Sequence, residues 1–185
     1  MLRAASDPRM TDVTRTRLTD GRAAVIRPAV PDDAQMITDF VNVIGAEGRF
    51  VLRERATWSI AEERKTLGAA DGQRAAFFVA EVAGRLSGMI NLSRGQWTKD
   101  AHLAELGMSC LPDCRGVGLG TALLARGMAW ARSVGVRKLT LEVFASNDRA
   151  IALYRKAGFV EEARLRGQYL IDGQPVDGVL MALWL

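Results

Sequence analysis

A chain of 185 residues fits one domain and is long enough to bury a substantial core. Its 49% hydrophobic and 25% charged residues strike an ordinary globular balance, with no apolar run near the length of a membrane span and no signal peptide at the front. The net charge of +4 comes from scattered basic residues without clusters or aromatic interleaving, which argues against nucleic acid as a partner and for a solvated surface.

Residues 1–20 are polar, rich in Arg and Thr and without periodicity, so a flexible tail is expected there, followed by a single domain over residues 21–185. Met10 competes with Met1 as the first residue. An Arg-rich, acid-poor leader hints at organelle import, but it offers no apolar face. Residues 21–29 read as a first strand. Pro31-Asp32-Asp33 then opens a helix through Ile44, whose apolar stripe is Ile37, Phe40, Val41 and Ile44. After a connection rich in Arg and Glu, Ser59 and Glu62 form a capping box at the head of a second helix. Phe77 to Val82 and Leu86 to Leu92 read as strands of a hairpin turned by Ala83-Gly84-Arg85. A polar loop around Trp97 leads to a central strand over residues 102–111. A helix follows over residues 117–134, with Leu119, Leu123, Trp130 and Val134 at helical spacing and Gly135 at its end. Lys138 to Phe144 alternates as a strand, a helix runs from Asn147 to Gly158, and Asp172-Gly173 turns a closing hairpin. The pattern predicts an α/β (α+β) fold: a mixed, largely antiparallel sheet with helices on both faces.

The junction between central strand and central helix is the most informative stretch. It reads Arg115-Gly116-Val117-Gly118-Leu119-Gly120, behind the turn residues Pro112 and Asp113. A helix N-terminus offers free N–H groups and the positive end of its dipole, so this junction suits an anion. Small residues let an extended phosphate lie against the backbone, and Arg115 adds a cation at the mouth. A diphosphate is the expected ligand. The nucleotide P-loop needs a lysine before Thr121, and the dinucleotide fingerprint needs a glycine at position 121; neither is present.

A second motif, Asn147-Asp148-Arg149-Ala150-Ile151-Ala152-Leu153-Tyr154-Arg155-Lys156-Ala157-Gly158-Phe159, follows a strand-like run. The two motifs together resemble the Gcn5-related N-acetyltransferase superfamily. Its acyl-coenzyme-A loop has the form Arg/Gln-x-x-Gly-x-Gly/Ala, and its later segment the form Asn-x-x-Ala-x-x-Leu-Tyr-x-x-x-Gly-Phe. The resemblance covers about residues 22–185. It implies that acetyl-coenzyme A is the acyl donor, with no metal, and that an amine is the acceptor. It also implies that the first two helices and the loop between them form one wall of the acceptor site.

Acetyl transfer to an amine needs a neutral amine, a polarised thioester carbonyl and a proton for the departing thiolate. Tyr154 follows Asn147 by seven residues, so both project from one helix face. The resemblance makes Tyr154 the general acid beside the sulfur and Asn147 a neighbour of the pantetheine arm, although Asn147 equally suits an N-cap. Residues 108–111, Met108 and Cys110 among them, would lend backbone groups to the pantetheine amides, with Met108 N–H polarising the carbonyl. Backbone at Arg115, Gly116, Val117, Gly118, Leu119 and Gly120 would hold the diphosphate. Glu105 stands where phosphinothricin-type relatives carry a catalytic glutamate; a surface or paired role is the alternative. His102, the only histidine, has a suitable pKa but sits at the strand entrance. Cys110 would permit an acyl-cysteine, though a small strand residue is the commoner role, and transfer in a ternary complex is expected. Cys110 and Cys114 lack further ligands nearby, so neither zinc nor a disulfide is indicated, and a reducing cytoplasm is the expected location.

The closing pattern Arg166-Gly167-Gln168-Tyr169-x-x-Asp172-Gly173-x-x-Val176-Asp177 looks like members acting on free amino acids or on ribosomal protein N-termini. The acceptor therefore stays open between a small amine and a protein terminus, and the oligomeric state, a homodimer included, stays open too. A non-catalytic acyl-coenzyme-A sensor is the competing function; Tyr154 argues against it, because a sensor needs no acid at the sulfur.

Overall fold

The computed structural model describes residues 12–185. Its strands are β1 (Thr14–Arg17), β2 (Ala23–Pro28), β3 (Ala75–Val82), β4 (Arg85–Arg94), β5 (Leu103–Cys110), β6 (Lys138–Phe144), β7 (Val160–Ile171) and β8 (Gln174–Trp184). Its helices are α1 (Ala34–Gly45), α2 (Ile60–Ala69), α3 (Leu119–Ser133) and α4 (Asp148–Lys156), and single 3-10 turns at Pro31–Asp33 and Pro112–Cys114 lead into α1 and the glycine loop. The strands form one sheet of eight in the order β1-β2-β3-β4-β5-β6-β8-β7. Every neighbouring pair is antiparallel except β5 and β6. No helix among the described residues is long and apolar enough to cross a membrane.

Strand alternation sorts the apolar side chains into two cores. On β3, Ala76, Phe78, Ala80 and Val82 join Leu119, Leu123, Trp130 and Ile151 from α3 and α4. From the same strand, Val79 and Phe77 turn the other way, against Ile37, Phe40, Ile44 and Leu67 of α1 and α2. The helices therefore cover opposite faces, as the sequence pattern predicts. Gly127 is the contact point of α3 with the sheet: a Cβ there would stand 2.7 Å from Ile90 Cδ1.

The head of α1 is pinned by charge. Arg27 grips both oxygens of Asp33 (2.6 and 2.8 Å) and also Glu81 (2.8 Å), while the Val30 N–H donates to Asp33 at 2.8 Å. Burial pulls the Asp33 carboxyl upward, but the Arg27 hydrogen bonds, the Val30 N–H and the guanidinium charge outweigh it and hold it below its ordinary value.

One expectation needs correction. Residues 14–17, placed in the flexible tail, form edge strand β1 paired with β2, and Leu18 beyond it is 4% exposed in the main core. None of the four residues of the Thr-Arg-Thr-Arg strand is buried, so it needs no apolar face, and its backbone pairs along one edge alone. The front of the expected tail, and both candidate initiators Met1 and Met10, lie outside the described residues.

Candidate active site

The site begins where the sheet opens. β5 and β6 are partnered at only three positions, Leu103↔Lys138, Ala104↔Leu139 and Glu105↔Thr140, after which β6 continues with β8 alone. The far end of β5 therefore has a free edge on that side. Leu111 N–H donates to Ser87 O at 2.9 Å across the β4–β5 seam, and the register Gly88↔Cys110, Ile90↔Met108 continues without a shift. Bonded and non-bonded pairs alternate along an antiparallel ladder, so Cys110 and Met108 turn their N–H and C=O groups away from β4 and into the gap. Their backbone can receive an extended amide chain as a further strand would. Leu111, expected to share in that edge, has its N–H committed to Ser87.

A cavity of about 770 Å³ runs from this edge to the glycine loop. Gly116 and Gly118 adopt φ of +76° and +92°, a left-handed conformation that side chains resist, and Gly118 is the N-cap of α3. No side chain caps that helix, and the first helical bond runs from Ala122 N–H to Gly118 O. The N–H groups of Leu119, Gly120 and Thr121 are thus left for a ligand or water. Gly116, Gly118, Gly120 and Thr121 line the cavity; the Val117 C=O instead accepts from Thr19 N–H at 3.0 Å, and the Leu119 side chain is fully buried. A Cβ on Gly120 would meet Leu153 Cδ2 at 3.2 Å, so this glycine also sets the approach of α3 to α4.

Arg115 lines the cavity, but its charge is already matched. Its two terminal nitrogens hold Glu47 at 2.7 and 2.6 Å, and its Nε donates to Cys110 O at 2.9 Å. The pair ties the α1–α2 connection to the glycine loop across 68 residues of chain. A cation that sequence reasoning left unassigned is Arg149, on the first turn of α4. Its Nη1 lies 3.9 Å from where a Cβ on Gly116 would stand, and it lines the same cavity. Arg149 was visible inside the Asn147 motif; its direction toward the loop was not.

Asn147 is the N-cap of α4, its side chain accepting from Ala150 N–H at 3.2 Å, and it lines the cavity as well. Tyr154, on the same helix, is 5% exposed and packs its ring on Phe159 at 5.6 Å. Burial, with a smaller contribution from the nearby Cys110 sulfur when it is ionised, pushes the phenol well above its ordinary pKa. It is therefore protonated throughout the range in which a protein works. Burial also pushes the Cys110 thiol up to about 12, so it is no ready nucleophile for an acyl-cysteine.

Tyr154, Met108, Ser109 and Asn147 also line a second cavity of about 650 Å³, which opens toward α1 and α2. Glu105 lies there: it is exposed and faces the opposite way from Ala104 and Leu106, which are in the core. His102 lines neither cavity; it stacks on Trp184 at 6.2 Å, and its C=O accepts from Arg137 and Lys138. Sequence reasoning missed three further groups of this cavity. Glu63 is buried on α2, Glu142 of β6 accepts from Tyr169 O–H, and Trp58 Nε1 is buried without an acceptor among the described residues. Burial and the neighbouring carboxylate push the Tyr169 phenol up to about 12. Among the described residues no group of ligating side chains could hold a metal ion.

The loop, the free strand edge and the tyrosine thus form one continuous channel with an acidic chamber at its end. Residues 46–159 match the model of the Acetyltransferase (GNAT) family. An N-alpha-acetyltransferase of Sulfurisphaera tokodaii is 39% identical over an alignment of 120 residues that covers 58% of this chain and 68% of that protein. The chain spans 28–57% of other curated relatives that it matches. An acetyltransferase of the GNAT family from Streptococcus pneumoniae superimposes with a TM-score of 0.83 at 27% identity, over 88% of this chain and 99% of that one. A GNAT superfamily phosphinothricin acetyltransferase from Sinorhizobium meliloti, solved in complex with acetyl-coenzyme A, gives 0.78 at 25% identity over 88% of each chain. The chain belongs to the GNAT family of acetyltransferases.

Proposed function

We propose that this enzyme moves an acetyl group from acetyl-coenzyme A directly to a primary amine while both are bound. The diphosphate lies on the N-terminus of α3, with Gly116, Gly118 and Gly120 admitting it and Arg149 beside it, while Arg115 braces the loop through Glu47. The pantetheine arm runs along the free edge of β5, and the thioester carbonyl accepts from Met108 N–H. The amine nitrogen enters from the acidic chamber and attacks the carbonyl carbon. Glu105, directly or through a water, takes the amine proton. As the carbon–sulfur bond breaks, the Tyr154 O–H protonates the thiolate, and bulk water returns the proton to the phenol.

The observation that carries this reading is Tyr154, which borders both cavities at their junction with its proton firmly held. A module that only sensed acyl-coenzyme A would have no use for such a group. The named relatives include an N-alpha-acetyltransferase and a phosphinothricin acetyltransferase, so both a peptide terminus and a small amine belong among the acceptors to be tried. Coenzyme A release is to be measured over amino acids, polyamines, aminoglycosides and N-terminal peptides. Tyr154→Phe keeps the ring on Phe159 and the cofactor affinity, yet should lower kcat by about 10²–10⁴-fold, the usual worth of general acid–base catalysis. The loss should shrink with an acyl donor whose thiolate leaves more readily. Full turnover in the Phe variant would make Tyr154 a packing residue; tight cofactor binding with no acetylation of any amine would favour the sensor.

A further inference from the structure

The acceptor chamber carries more negative charge than the chemistry of transfer requires. Glu63, Glu105 and Glu142 line it, and Arg53 is the single guanidinium among its lining residues. Arg53 is exposed and lies over the Trp58 ring at 5.0 Å, held on the wall and not among the carboxylates. Glu142 has a partner in Tyr169 O–H. Glu63 differs. It is 8% exposed, lines the chamber, and among the described residues its carboxyl makes no hydrogen bond or ion pair; Arg53 acts on it only through its more distant charge. Nor is it needed to cap its helix, because Glu62 closes the capping box with Ser59. Burial pushes the Glu63 carboxyl above its ordinary value, as expected of an acid without a cation. A buried carboxyl without a partner is costly, and the first turn of α2 favours a negative charge there once a cation arrives.

We infer that the chamber takes a small aliphatic amine with a second positive charge, one end acetylated and the other seated on Glu63. This deepens the reading of the site as an amine acetyltransferase and rests on it. The apolar walls fit the rest of such a molecule: Phe40, Trp58 and Phe77 can flank a methylene chain and face a cation with their rings. A free α-amino acid fits poorly. Its carboxylate would enter a space with three carboxylates and one guanidinium already engaged on a ring. A monoamine fits no better, because it leaves Glu63 without a partner.

The experiment is steady-state coenzyme A release by the full chain with butylamine, 1,4-diaminobutane, 1,5-diaminopentane, spermidine, leucine and an alanine-initiated peptide without basic residues. A charge-assisted hydrogen bond is worth enough to give the diamines about 10- to 100-fold higher kcat/KM than butylamine. Glu63→Gln should erase most of that advantage through KM, and Glu63→Asp should recover part of it. Equal turnover of butylamine and the diamines, or a preference for leucine or the neutral peptide, would overturn the inference while leaving the transferase reading intact. So would a Glu63→Gln loss of the same size on every acceptor. If the variant fails to fold, by circular dichroism, the wild-type ranking of acceptors decides alone. No release with any amine, from protein that binds acetyl-coenzyme A, would defeat both readings.

Discussion

At the scale of single residues, the surroundings of Glu105 and Tyr154 suit them to the two proton transfers of the proposed reaction. Tyr154 is sealed between α4 and the core, so its proton is held; Glu105 is exposed on the chamber floor, open to water and to an incoming amine. Replacing Glu105 by Gln keeps the shape and removes the proposed base. Turnover of a good acceptor should fall, by up to about 10²–10⁴-fold, and the acidic limb of the pH–rate curve should flatten. An unaltered profile would assign deprotonation to a water chain or bulk solvent, since His102 stacks on Trp184 away from both cavities. The residues legible from sequence were those whose neighbours in the chain are also their neighbours in space: the loop glycines, Asn147 and Tyr154. Glu47 with Arg115, and Glu142 with Tyr169, are joined across 68 and 27 residues, and no local pattern announces such pairs.

At the scale of elements, the glycine loop and the α1 head invite separate tests. Gly118 begins α3 at φ +92°, and a Cβ there would find only Thr19 Cγ2, at 3.9 Å. The cost of Gly118→Ala is therefore conformational, about 1–2 kcal/mol for an L-residue in the left-handed region. Acetyl-coenzyme A affinity by calorimetry should drop with it, while circular dichroism stays native. Gly120→Val is a less clean probe, because its side chain would press on Leu153 before any ligand is considered. The α1 head answers to pH. Asp33 has its pKa lowered on folding, so its stabilisation is complete above the unfolded value of about 3.9 and disappears as pH falls through the folded value. Asp33→Asn should cost about 3 kcal/mol near neutrality, and its gap to wild type in urea midpoints should stay constant down to about pH 4 and narrow only as the pH falls below that. Strand β1 shows why some elements escape the sequence. Its Thr-Arg-Thr-Arg run offers none of the apolar alternation by which strands are recognised, yet the backbone pairs with Ala23–Ile26 regardless.

At the scale of the whole molecule, the sheet is continuous in name but joined across its middle by three residue pairs of β5 and β6. The half from β1 to β5 is a run of antiparallel neighbours, and so is the half from β6 to β7. The channel lies where the two halves part. Parts of a fold open locally below the cost of global unfolding, and the unpaired edge of β5 at this seam is where such opening is expected. Amide hydrogen exchange would expose it. In the empty enzyme the N–H groups of Met108 and Cys110 should exchange fast while Leu111, bonded to Ser87, stays protected. Acetyl-coenzyme A bound in the gap would slow the first two, and by bridging the halves it would also slow exchange in β6 and onward in β8, beyond the strand that it touches. The cofactor would then serve as the missing strand of the sheet, and the enzyme would be most nearly one rigid body only while loaded for reaction.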